Sequence, residues 1–155
     1  MESGLLPNSA ITASSVYGTS KHRSWLARLN NVPNGTFWGS WSADLNEAGQ
    51  WLQIDLGEER LLTNFATQGR PSFPQWVTSY TILFSSDSVK WEEYKENGVV
   101  KVCDAFSFKR NLTRNSTRDI ASFLWSFRDR ARLLVCSFYW CNVFEFYCYI
   151  YNYYL

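Results

Sequence analysis

The chain has 155 residues, with 15 Lys+Arg against 14 Asp+Glu for a formal charge of +1, and 46% of it is hydrophobic. One domain's length with so even a balance offers no overall basic field for nucleic acid or anionic lipid, and the apolar content excludes global disorder. The averages hide a break, because residues 103–155 hold all four cysteines and 15 of the 28 aromatic residues.

Met1 to Pro7 has neither a basic start nor an apolar run, so no secretory leader is read there. From Ile11 to Val102 the chain reads as short extended segments separated by Gly, Pro, Asn and Ser, with no helical stripe of three turns. Two polar stretches, Tyr17 to Arg23 and Asn30 to Gly39, read as loops that carry large side chains. Trp51-Leu52-Gln53-Ile54-Asp55-Leu56 alternates, placing Leu52, Ile54 and Leu56 on one face. Gly57 to Arg60 then reads as a turn and Leu61 to Thr67 as a second strand, so the pair is expected to form a hairpin. The prolines of Gln68 to Pro74 exclude a central strand, after which Tyr80, Ile82 and Phe84 fall in phase along Val77–Phe84. Ser85 to Ser88 is a turn and Val89 to Tyr94 another short strand, so the repeated spacing predicts an all-β sandwich or barrel.

Seven motifs stand in one order over residues 1–102: Ile11-Thr-Ala-Ser-Ser15, Ala27-Arg-Leu-Asn30, Trp41-Ser-Ala43, Trp51-Leu-Gln-Ile-Asp-Leu-Gly57, Thr67-Gln-Gly-Arg70, Trp76-Val-Thr-Ser-Tyr80, and Ser86-Asp87 followed by Trp91. In that order they resemble the discoidin family, also called the coagulation-factor type C domain. The resemblance implies an eight-stranded jelly-roll barrel with ligand-binding loops at one end, and it implies binding rather than catalysis. It also implies that Trp41, Trp51, Trp76 and Trp91 are core or core-edge residues. Extracellular or cell-surface placement follows from the family in the same way.

After Val102 the family pattern ends, and the cysteine pair that usually joins the family's two ends is not matched. Residues 1–102 are therefore expected to form a discoidin-like domain incomplete at its C-terminal strands, followed by an aromatic and cysteine-rich tail over 103–155. Arg130 to Val135 is only a faint echo of the family's penultimate strand. Three readings of the tail stay open: a translated intron or shifted frame, a transmembrane span over Leu133–Leu155, and a genuine alternative finish to the barrel. The alternating Tyr147, Tyr149, Tyr151 and Tyr153 suit a strand.

Chemistry is sparse. His22 is the only histidine and is expected to be an exposed loop residue, and no Gly-x-Ser-x-Gly elbow accompanies it, so no catalytic residue is assigned. Cys136, Cys141 and Cys148 lack zinc-type spacing, so no metal ligand or cofactor is assigned, although Asp44, Asn46 and Glu47 have oxygens of the kind calcium takes. Trp38, beside Phe37 and between Gly35 and Gly39, is a poor core former and a candidate ligand contact. Arg70 ends the Thr67-Gln-Gly-Arg70 motif at the loop end, where a guanidinium fork can grip carboxylate, phosphate or sugar hydroxyls. The expected ligand-binding set is Tyr17, His22, Arg23, Asn34, Phe37, Trp38, Arg70 and Phe73, on loops Tyr17–Ser24, Asn34–Gly39 and Arg70–Gln75. The expected partner is a glycan or a cell-surface or matrix protein, with a phospholipid membrane as a further possibility and no nucleic acid. The alternative is that the chain is a non-functional fragment of a larger secreted protein. Three Asn-x-Ser/Thr sequons start at Asn34, Asn111 and Asn115.

Overall fold

A computed structural model describes residues 6–18, 21–69, 76–104, 123–141 and 147–151. Among them are two short 3-10 turns, Asn8–Ala10 and Ser24–Leu26, and nine strands: β1 Ile11–Ala13, β2 Trp51–Gln68, β3 Val77–Ser85, β4 Glu92–Glu93, β5 Lys95–Glu96, β6 Val99–Val100, β7 Val102–Asp104, β8 Phe123–Cys141 and β9 Tyr147–Tyr151. One seven-stranded sheet runs β1-β2-β8-β3-β4, with β7 also on β3 and β9 also on β2, while β5 and β6 form a separate pair. Every pairing is antiparallel. Asn97 and Gly98, both at positive φ, make the tight turn between β5 and β6, as an Asn-Gly pair does in a two-residue hairpin.

The alternation along β2 holds, since Leu52, Ile54 and Leu56 are all buried. The hairpin expected around Gly57–Arg60 does not form. Asp55 pairs with Leu133 and Arg60 with Ala131, so four residues of β2 stand opposite one residue of β8 and the strand continues through a bulge. The turn chemistry is nonetheless present: Gly57 has φ +79°, and its N–H donates to the Asp55 carboxylate at 2.8 Å. A local turn signal cannot distinguish a reversal from a bulge, because the difference lies in the partner strand.

The sheet is also more complete than residues 1–102 alone would make it. β8 lies between β2 and β3, placing Cys136 between Leu52 and Ile82, and Leu134 between Ile54 and Phe84. The segment Arg130–Val135 lies in the middle of this strand. Ala131 and Leu133 face the core, while Arg132 between them is exposed and donates to Asp55 at 3.4 Å. β9 supplies a further strand, with Tyr147, Tyr149 and Tyr151 opposite Gln68, Ala66 and Asn64. Among the described residues no helix is long and apolar enough to cross a membrane.

The core gathers Ile11, Trp41, Leu52, Ile54, Phe65 and Tyr80, with the Phe65 and Tyr80 rings 5.7 Å apart. Burying each such side chain contributes about 1.5–3 kcal/mol relative to leaving it exposed. Trp41 is at the centre, and Trp51 and Trp91 are half-buried. Trp76, expected at the core or its edge, is the most exposed of the four at 38% and stands just before β3 rather than within it.

Candidate functional site

β1 ends at Ala13, and the chain enters the first long loop beside the start of β2, where the Ser14 N–H donates to the Trp51 carbonyl at 2.9 Å. Main-chain bonds then join this loop to the second one. The N–H of Tyr17 donates to Ser42 O at 2.9 Å, that of Ser42 to His22 O at 3.4 Å, and that of Trp38 to Lys21 O at 3.1 Å. From the core side, the indole N–H of Trp41 donates to Ser15 O at 2.9 Å. Gly39 permits the second loop to close on itself: it has φ +79°, and a Cβ there would lie 2.7 Å from the carbonyl carbon of Val32 and 2.9 Å from the nitrogen of Pro33. Only glycine accepts both conditions without displacement.

These bonds assemble an aromatic cluster around His22. His22 is only 9% exposed, and its Nδ1 lies 3.0 Å from the Ser42 hydroxyl, which corrects the expectation of an exposed loop histidine. Local sequence marked a polar loop, but the ring is covered from two sides. Trp38 stacks on it at a centroid distance of 6.4 Å and an interplanar angle of 17°, and Tyr17 meets it edge-on at 5.7 Å and 73°. Trp38 remains 41% exposed and Tyr17 47% exposed, so His22 is the floor and the other two present their surfaces to solvent. The Lys21 ammonium sits 5.8 Å from the Trp38 ring centroid, within reach of a cation–π attraction.

The other expected site residues take different places. Phe37 is half-buried and meets Trp25 edge-on at 4.9 Å, so it braces the loop from behind. Asn34 is exposed, and its side-chain oxygen accepts the N–H groups of Thr36 at 3.2 Å and Phe37 at 2.9 Å. Arg23 is exposed, and its carbonyl accepts the Leu26 N–H at 3.0 Å to close the Ser24–Leu26 turn. Arg70 and Phe73 lie outside the described residues. The second loop does reach the end of β2 that leads to them, since the Asn30 N–H donates to the Gln68 side-chain oxygen at 3.1 Å. Ser42 is outside the set expected from sequence, since no local signal separates it from other serines.

The Ser42–His22 contact has the spacing of a nucleophile and its base, but geometry opposes that role. Ser42 is 1% exposed, whereas a nucleophilic serine must reach a substrate carbonyl. Among the described residues no group of three or more His, Cys, Asp or Glu is placed to hold a metal ion. What the cluster offers is two partly exposed aromatic rings, a nearby ammonium and a fixed backbone.

Residues 10–121 match the family model described as the F5/8 type C domain. Lactadherin of Rattus norvegicus is 38% identical over 120 residues, covering 75% of this chain and 27% of that protein. Lactadherin of Sus scrofa is 37% identical over 120 residues, covering 75% of this chain and 29% of that protein. The chain thus spans less than a third of the length of these relatives. Among solved structures, discoidin II of Dictyostelium discoideum is similar with a TM-score of 0.69 at 23% identity, over 91% of this chain and 53% of that one. A chitosan-binding module 2 from Paenibacillus sp. IK-5, solved in complex with chitotriose, gives 0.62 at 17% identity over 92% and 95%. The expected discoidin-type jelly roll is therefore the fold of this chain.

Proposed function

We propose that this chain, which belongs to the F5/8 type C (discoidin) domain family, is a non-enzymatic binding module that holds carbohydrate at the surface formed by Tyr17, Lys21 and Trp38. The observation that carries this reading is the Trp38 indole, partly exposed and stacked on a buried His22. A large rigid ring offers contact area at little entropic cost, and its face packs well against the C–H face of a sugar ring. Tyr17 and Lys21 add polar groups at the edge that can orient hydroxyls or an acidic substituent. The same fold holds chitotriose in the Paenibacillus module, which supports the reading by analogy of fold alone. Extracellular or cell-surface placement belongs to the same proposal.

The test is a glycan array, run beside vesicles of phosphatidylcholine with and without phosphatidylserine, on the full chain and on Trp38→Ala and Tyr17→Ala. Glycan binding weakened about tenfold by Trp38→Ala, equivalent to about 1.4 kcal/mol, with the far-ultraviolet spectrum unchanged, is the expected result. Binding to vesicles but to no glycan, or glycan binding indifferent to both substitutions, overturns the assignment.

A further inference from the structure

We infer that Asn34 is an acceptor for N-linked glycosylation. Asn34-Gly35-Thr36 is a complete sequon, and the described residues contain it whole, whereas Asn111 and Asn115 lie outside them. A usable acceptor must have room for a bulky substituent on its amide nitrogen in the finished fold. The site meets this condition on three counts.

All three sequon residues are exposed. The Asn34 side-chain oxygen is turned towards the backbone, where it accepts the N–H groups of Thr36 and Phe37 at 3.2 and 2.9 Å. Its Nδ2, on the opposite branch of the same planar amide, is thereby directed away from the turn. A glycan on Nδ2 leaves the oxygen free to keep both bonds, so attachment sacrifices no contact of the loop. Finally, a Cβ built on Gly35 would meet nothing within 4 Å, so the space around the middle of the sequon is open.

The co-substrate is a polyprenyl diphosphate-linked oligosaccharide. Nδ2 forms a bond to the anomeric carbon, the bond from that carbon to the diphosphate oxygen breaks, and the lipid diphosphate leaves with the electron pair. The proton released from the amide passes to a base of the transferase. The attached sugar stands close to the aromatic surface, since the Asn34 N–H donates to the carbonyl of Phe37, the neighbour of Trp38, at 3.2 Å. The inference rests on the extracellular part of the proposed function and is independent of what Trp38 binds.

The test is cell-free translation of the full chain, carrying a secretory leader, in the presence of endoplasmic-reticulum microsomes. Asn111→Gln and Asn115→Gln are introduced throughout, so that only Asn34 can respond. The protease-protected chain should migrate more slowly and return to its unmodified mobility on endoglycosidase treatment. Thr36→Ala, which keeps the backbone N–H that Asn34 caps, should abolish the shift, and Thr36→Ser should retain it. A protected chain whose mobility is the same before and after endoglycosidase overturns the inference, as does a shift that survives Thr36→Ala. A negative result leaves the glycan-binding proposal to its own array test.

Discussion

Replacing Gly39 by alanine isolates the close approach that shapes the candidate site. Two costs act at this position. An L-residue at φ +79° pays for the left-handed conformation, about 1–2 kcal/mol. The added methyl would also lie 2.7 Å from the Val32 carbonyl carbon, 2.9 Å from the Pro33 nitrogen and 3.1 Å from the Val32 oxygen. All three are main-chain atoms, so no side-chain rotation relieves the overlap, and overpacking of this kind adds about 1–3 kcal/mol. Gly35 is the matched control: its φ is +85°, yet its Cβ would meet nothing within 4 Å. The gain from restricting the unfolded chain, about 0.4–1 kcal/mol, is common to both substitutions and cancels in their difference. Gly39→Ala should therefore be less stable than Gly35→Ala by about 1–3 kcal/mol, measured as a shift of the urea midpoint at constant slope. Displacement of the 32–39 loop should accompany it, visible as a change in the chain's tryptophan emission, to which Trp38 is one of eight contributors, that Gly35→Ala does not show and that Trp38→Phe removes. Equal stabilities of the two variants would refute the reasoning, because the buried Gly39 has the contact with Val32 and Pro33 and the exposed Gly35 has none.

Trp41→Ala should cost about 3–5 kcal/mol in the same assay, since it empties a fully buried site and strands the Ser15 carbonyl that its indole N–H satisfies. Trp51→Ala, at a half-buried position on the outer phase of β2, should cost clearly less; equal losses would show that burial does not rank these residues. Backbone hydrogen bonds from Lys90 and Val89 hold the Asp87 carboxyl below its ordinary range. A carboxylate whose folded pKa is depressed contributes stability above its unfolded pKa, near 3.8, and that contribution is lost as pH falls through the folded value. Asp87→Asn should flatten the acid limb of the stability profile in that window, and an unchanged limb would count against the turn geometry.

The parts of this fold that sequence makes legible are those governed by neighbours along the chain. Leu52, Ile54 and Leu56 alternate into the core because a strand's side chains alternate, whatever lies beside it. Gly57 advertises a local break, and the break is there, but whether β2 reverses or bulges depends on residues more than seventy positions away. The same dependence hid β8. Its centre, Ala131-Arg132-Leu133, alternates like any strand, yet its place between β2 and β3 is set by long-range pairing. His22 shows the corresponding limit at the site. Its neighbours Lys21 and Arg23 are exposed, and the return of Trp38 and Ser42 towards it, from a loop sixteen to twenty residues later, joins Tyr17 in making it a buried floor.

The arrangement at the loops holds the partly exposed Trp38 still, as the proposed function requires of it. An unsupported aromatic on a polar loop must be ordered when the ligand arrives, and that entropy is subtracted from affinity. Here the ordering is already present in the folded chain. The main chain of Trp38 is bonded to Lys21, its ring lies on His22, and His22 is held by Ser42. Ser42 in turn follows Trp41, which is fixed in the core and bonded to Ser15. The path from the barrel to the exposed ring is thus short and made of buried groups, while Lys21 and Tyr17 beside it remain exposed. On the proposed function, substitutions at Tyr17 and Lys21 should therefore change which ligand is preferred with little effect on the sheet, whereas substitutions at His22, Gly39 or Trp41 should act through the position of Trp38.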